Sequence, residues 1–204
     1  KKDLVFELME RLVKADIEEA DMPARLAEMK EKEGDLDYAK AMYKKAMNRN
    51  IYRSNFTQVE ELWKKLLTFD DLGYDYFLNL EKKITKSFND DRALDLLKLL
   101  YNLYWEKKDY EVCLKVLKVI LKKSPSDDYA RSQIVDVYRE KYKYHSLIEE
   151  YIKKSDLESS WRDVNEAIAD FEKHISFDKG NFVYHREWGI GRIVDVNNGV
   201  FTID

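Results

Sequence analysis

The chain has 204 residues, of which 45% are hydrophobic and 37% charged, enough apolar content for a real core and too much for a disordered chain. Acidic residues outnumber basic ones, 40 to 36, giving a net charge of −4, which argues against nonspecific nucleic-acid binding, since that needs a surplus of cations to displace counterions. Two Pro and six Gly are few, as long uninterrupted helices require.

In chain order, Leu4, Leu8, Leu12 and Ala15 recur at helical spacing and predict an amphipathic helix over 3–20, with Asp3 as its cap. Pro23 suits the first turn of the next helix. Leu26 and Ala27, then a break at Gly34-Asp35, then Ala39, Tyr43 and Ala46 predict a helical hairpin. Residues 58–88 read as a less regular pair, with Val59, Leu62, Trp63 and Leu66 on one helix and Phe77, Leu80 and Ile84 on the other. The loop Asp70–Gly73 between them falls off period. Leu100, Tyr101 and Tyr104, a turn at Lys108-Asp109-Tyr110, then Cys113, Leu117 and Ile120 predict another hairpin, closed by Ser124-Pro125. Ile134, Val135 and Tyr138, a turn at Lys143-Tyr144, then Leu147 and Tyr151 repeat it. Tyr104 to Tyr138, Cys113 to Leu147 and Leu117 to Tyr151 are each 34 residues apart. A last helix is expected over 156–175, with Leu157, Trp161, Val164, Ile168 and Phe171 on its apolar face.

After residue 176 the texture changes. Phe182–His185, Gly191–Val196 and Val200–Asp204 read as strands of period 2, and Asn197-Asn198-Gly199 as a hairpin turn. The expected organisation is therefore a helical-repeat domain over 1–175 and the truncated start of a small β-barrel over 176–204. The chain starts without Met and stops inside an expected strand, which reads as a piece of a longer protein.

The 34-residue period resembles the tetratricopeptide repeat, in which small residues let paired helices approach and large ones fill the space between neighbours. That resemblance implies an α-solenoid whose groove holds a partner segment, and it places Lys98, Asn102, Gln133, Asp136 and Arg139 in that groove. Lys98 and Asn102 match half of a clamp for acidic tails, but Asp163 and Ala167 stand where further cations belong. Phe177, Gly180, Val183, His185, Trp188, Gly189, Gly191 and Ile193 resemble the opening of the SH3-like or Tudor-like barrels of CarD-like transcription regulators, transcription-repair coupling factors and UvrD-type helicases. This implies contact with bacterial RNA polymerase through His185, Trp188, Ile190 and Arg192. Trp188 has two readings, a plug for the barrel end or a partner anchor. The expected fold is thus mainly α, a tetratricopeptide-like solenoid followed by part of a small barrel. Helical repeats leading into such a barrel resemble the N-terminal extension of some bacterial Gre-type transcription elongation factors. In that family the chemistry belongs to a coiled coil with acidic residues at its tip, and no carboxylate here takes that role.

No catalytic constellation is expected. Cys113 lacks a His partner in the sequence pattern, and His145, His174 and His185 lack metal-ligand spacing. No cofactor, metal or small-molecule substrate is expected, nor sequence-specific nucleic-acid binding. A single cysteine fits a reducing compartment, and no apolar run is long enough to span a bilayer, so a cytoplasmic protein is expected. The triplet Asn55-Phe56-Thr57 matches a glycosylation sequon that such a protein would not use. Lys115, Lys118, Lys122 and Lys123 form a basic strip that reads as a solvated face. The competing function is a general tetratricopeptide scaffold that binds a peptide or protein outside transcription.

Overall fold

The computed structural model describes residues 2–16, 19–197 and 200–204. Among them lie ten helices followed by a three-stranded antiparallel sheet. The helices are α1 (Lys2–Ala15), α2 (Asp21–Lys32), α3 (Leu36–Tyr52), α4 (Phe56–Leu66), α5 (Tyr74–Ser87), α6 (Asp90–Glu106), α7 (Tyr110–Lys123), α8 (Asp128–Lys141), α9 (Ile148–Lys154) and α10 (Val164–Ser176). The strands are β1 (Phe182–His185), β2 (Gly189–Asn197) and β3 (Val200–Ile203). Contacts divide the chain into two compact units, Lys1–Val112 and Cys113–Asp204.

In the first unit the small residues lie where two helices meet. Leu26 and Ala27 on α2, and Ala39, Tyr43 and Ala46 on α3, are all buried. Alanine at these positions lets the α2 and α3 backbones approach closely. Trp63 on α4 is fully buried and meets Phe77 of α5 edge-on, ring centres 5.1 Å apart. Contacts between elements two apart, α3 with α5 and α4 with α6, join successive hairpins. One such join is polar: Lys65 on α4 pairs with Glu31 on α2 at 2.6 Å, and the Tyr43 hydroxyl donates to the same carboxylate at 2.9 Å. Lys65 and Tyr43 together hold the Glu31 carboxyl below the usual carboxylate range.

Four turns share one geometry. Gly34, Ser54, Lys108 and Asp156 adopt positive φ, at 85°, 53°, 57° and 51°. In each, the next residue's N–H reaches back five residues: Asp35 to Lys30, Asn55 to Asn50, Asp109 to Tyr104 and Leu157 to Ile152. These are Schellman closures, which satisfy the last carbonyls of a helix. In the first three, the residue after the left-handed one caps the following helix, through Asp35 to the Tyr38 N–H, Asn55 to Gln58 and Asp109 to Val112. Asn55, the nominal sequon residue, is therefore a helix cap.

Several sequence expectations are corrected. The first helix ends at Ala15, short of residue 20, and the side chain of its expected cap Asp3 lies outside the described side chains. Its stripe Leu4, Leu8 and Leu12 is at least half exposed. The face that packs instead carries Phe6, 5.7 Å from the Tyr38 ring, and buried Val13. The last helix begins at Val164, not 156, and Trp161 is exposed in the loop before it. Arg131 donates to the Ser159 and Arg162 carbonyls, and Arg162 donates to the Ser155 carbonyl. These bonds hold 155–162 in a non-helical path, and Asp163 then caps α10 through the Asn165 and Glu166 N–H groups. Leu147 sits just before the short α9 and is partly exposed, so the packing position occupied by buried Cys113 is not reproduced there.

In the second unit, Tyr138 of α8 lies 4.2 Å from the Phe171 ring of α10. Lys118 from the expected basic strip pairs with Glu172, which also accepts from the Tyr138 hydroxyl at 2.9 Å. The link into the sheet is tied back to the helices. Asn181 caps the end of α10 by donating to the Ile175 and Ser176 carbonyls, and buried Asp178 accepts from the Tyr151 hydroxyl at 2.9 Å and pairs with His145.

The sheet runs β1-β2-β3 and is open, not closed into a barrel. β1 pairs with the first half of β2 and β3 with the second half. An irregularity between Ile193 and Asp195 offsets the two ladders. Asn198 and Gly199 of the expected hairpin turn lie outside the described residues; the strands on either side of them pair as antiparallel neighbours.

Candidate functional site

The register decides which sheet residues share a face. Phe182 pairs with Arg192 and Tyr184 with Ile190, so these four lie on one side. Ile193 is on the opposite side, fully buried, and pairs with Ile203. Alternation along β3 then places Phe201 with Ile203 and Val200 with the first face. The outward face carries Phe182, Tyr184, Ile190 and Val200, each roughly 70–75% exposed. Scattered exposed apolar residues are ordinary, but Phe182, Tyr184 and Ile190 are register neighbours and make a patch, whereas Val200 pairs with Asn197 at the far end of β2.

At the end of this hairpin, Arg186, Glu187 and Trp188 form a three-residue loop, and Gly189 takes φ +77° to close it. Trp188 is 79% exposed and stacks on the His185 ring with centres 4.1 Å apart. Of its two readings, the barrel plug finds no support among the described residues. Gly191 is required by a close approach. A Cβ there would stand 2.2 Å from the Ile203 Cγ2 and 3.1 Å from the Asp204 carbonyl oxygen. Arg192 is partly engaged, its Nε 3.3 Å from the Gly180 carbonyl.

Of the sheet residues expected from sequence, Ile190 and Arg192 thus share the exposed face, and His185 and Trp188 form a stacked pair at its turn end. Phe182 and Tyr184 were missed as site residues. Their signal was the aromatic alternation of 182 and 184, which becomes informative only once the partner strand's register is known.

The expected groove residues lie on two helices. Lys98 and Asn102 are on α6, Lys98 3.6 Å from Asp95. Gln133, Asp136 and Arg139 are on α8. Gln133 donates to Asp136 at 3.3 Å, and Arg139 binds Glu149 at 2.8 and 2.9 Å and Glu158 at 2.9 Å. Asp136 and Arg139 border a hollow of 290 Å³. The guanidinium faces two of the chain's own carboxylates, and it holds the Glu149 carboxyl below its ordinary range.

Among the described residues no group of three or more His, Cys, Asp or Glu side chains is placed to hold a metal ion. Among the described residues no helix is long and apolar enough to cross a membrane.

No family model matches the chain. Over 200 residues, 98% of its length, it is 42% identical to a Treponema pallidum protein named for GreA-associated domains. Over 196 residues, 95% of its length, it is 34% identical to a transcription elongation factor GreA of Borreliella burgdorferi. The chain spans 30% of the first relative and 21% of the second, so it is similar to one part of each of two much longer proteins.

Proposed function

We propose that the chain is a non-catalytic interaction module of a bacterial transcription elongation factor, acting in the cytoplasm, whose open sheet docks onto RNA polymerase. The observation that carries this reading is the exposed apolar patch of Phe182, Tyr184 and Ile190, with Trp188 at its end. Burying such a surface is favourable at roughly 25 cal/mol per Å². Aromatic anchors of this kind dominate interfaces, at about 2 kcal/mol or more each. The names of the two relatives place them with transcription elongation, in keeping with the CarD-like and Tudor-like pattern of 177–193. On this reading the helices form tetratricopeptide-like hairpins that carry and orient the sheet. The self-contained pairing of Arg139 disfavours the α8 face as the principal contact.

The test is interferometry of the chain on immobilised bacterial core RNA polymerase, beside Trp188→Ala and the double variant Tyr184→Ala/Ile190→Ala. All three side chains are exposed, so the variants should fold, which circular dichroism checks. A tenfold or greater weakening in both supports sheet docking. Unchanged affinity in both would move the contact off the sheet, and no binding by the parent chain would remove polymerase as the partner.

A further inference from the structure

On the other side of the sheet, within the second unit, a cavity of 490 Å³ lies between α9, α10 and the β2-β3 ladder. Its size suits the side chains of a short bound segment. Two ring pairs form its apolar wall. Tyr151 stacks on His174 with planes 18° apart, and Phe177 meets Phe201 with centres 5.2 Å apart. The rim carries Lys154, Lys173 and Lys179.

The charges around this cavity are unequally spent. Glu150 is paired with Lys154 at 2.6 Å, and Asp178 is held by Tyr151 and His145. Asp195 is likewise engaged. Lys173 and Lys179 are exposed, and neither ammonium is in a hydrogen bond or ion pair among the described residues, though the charge of Lys173 also acts on the Asp170 carboxylate. Two exposed ammonium groups outside any ion pair therefore border an apolar wall in a chain that is acidic as a whole. We propose that this cavity binds an acidic peptide segment, one apolar side chain entering against Phe177 and Phe201 while flanking carboxylates meet Lys173 and Lys179. A nucleotide fits less well, because Tyr151 and His174 already spend one face each on their mutual stack. Lysine, a flexible point charge, suits separated carboxylates. The site is independent of the polymerase reading, since it uses the opposite face of the sheet.

A labelled, blocked octapeptide of alternating glutamate and leucine, followed by fluorescence anisotropy on the whole chain at low salt, tests this. Binding should weaken at least tenfold for the glutamine–leucine version of the peptide, and at least tenfold again in Lys173→Glu/Lys179→Glu. It should fall on adding salt, because the pairs are exposed. The milder Lys173→Gln/Lys179→Gln variant guards against misfolding and should lose most of the affinity. Amide shifts on titration should centre on Phe177 and Phe201. Equal binding of both peptides, full binding by the charge-reversed variant, no binding at millimolar peptide, or displacement by a short single-stranded oligonucleotide at lower concentration would each overturn the proposal.

Discussion

Trp63 and Trp188 set the two textures of the chain side by side. Trp63 sits at 0% exposure between α4 and α5, whereas Trp188 stands at 79% on a β-hairpin loop. Between α2 and α3 and between α4 and α5, large side chains fill the space at the helix contacts, although Leu4, Leu8, Leu12 and Trp161 elsewhere in the helical part stay exposed. In the sheet, one face buries Ile193 and partly covers Phe201 and Ile203, and the other keeps Phe182, Tyr184, Ile190 and Val200 in water. Trp63 is thus placed to contribute to stability, and Trp188 is placed where it contributes little to it. Composition does not separate the two; register and burial do.

The largest effect expected from this contrast is Trp63→Ala. Removing a fully buried indole should cost about 3–5 kcal/mol in denaturant unfolding, while Trp188→Ala should change stability by no more than about 0.5 kcal/mol. Similar losses for the two would break the contrast. Next comes Gly191→Ala. Its Cβ has no room beside Ile203, so overpacking should cost about 1–3 kcal/mol, read as faster amide exchange across β2 and β3 with the helices unaffected.

Lys108 sharpens the helical side. It holds a left-handed conformation that costs a non-glycine residue about 1 kcal/mol, so Lys108→Gly should raise stability by up to about that amount, and Ser54→Gly should act alike. A loss in both would mean that their side chains do more than occupy the turn. Tyr76 is smaller again. Its buried hydroxyl has no hydrogen-bond partner among the described residues, and burial pushes its pKa up to about 12. Tyr76→Phe should be neutral or stabilising by up to about 1 kcal/mol, and a clear destabilisation would reveal an unseen partner. The smallest effect is pH-linked. Glu31 has a depressed folded pKa, so its contribution is present above the ordinary carboxylate value and is lost as pH falls through the folded one. Glu31→Gln should therefore flatten the acid side of the stability curve, most visibly below about pH 4.

Much of the helical part was legible because its signals are local. Ala39 and Ala46 at close-packing spacing, Pro23 in a first turn and Gly34-Asp35 at a break each state their own role. The turns at Ser54 and Asp156 were not legible, since neither residue advertises positive φ; the closure is imposed by the backbone bonds of the preceding helix. Trp161 misled because it stands at helical spacing from Leu157 and Val164, and only the Arg131 and Arg162 bonds to main-chain carbonyls, remote in sequence, show why no helix forms. Leu4, Leu8 and Leu12 announced an apolar face truthfully, but periodicity cannot tell whether anything covers it. In the sheet, strand positions were readable from alternation, while the shared face of Phe182, Tyr184, Ile190 and Arg192 depends on pairing that no single strand encodes.

Hydrogen–deuterium exchange of the chain with and without core RNA polymerase tests sheet docking most directly. New protection concentrated in 182–192, with the α8 amides unchanged, is the expected result. Protection confined to the helices, or none anywhere at saturating polymerase, would contradict it.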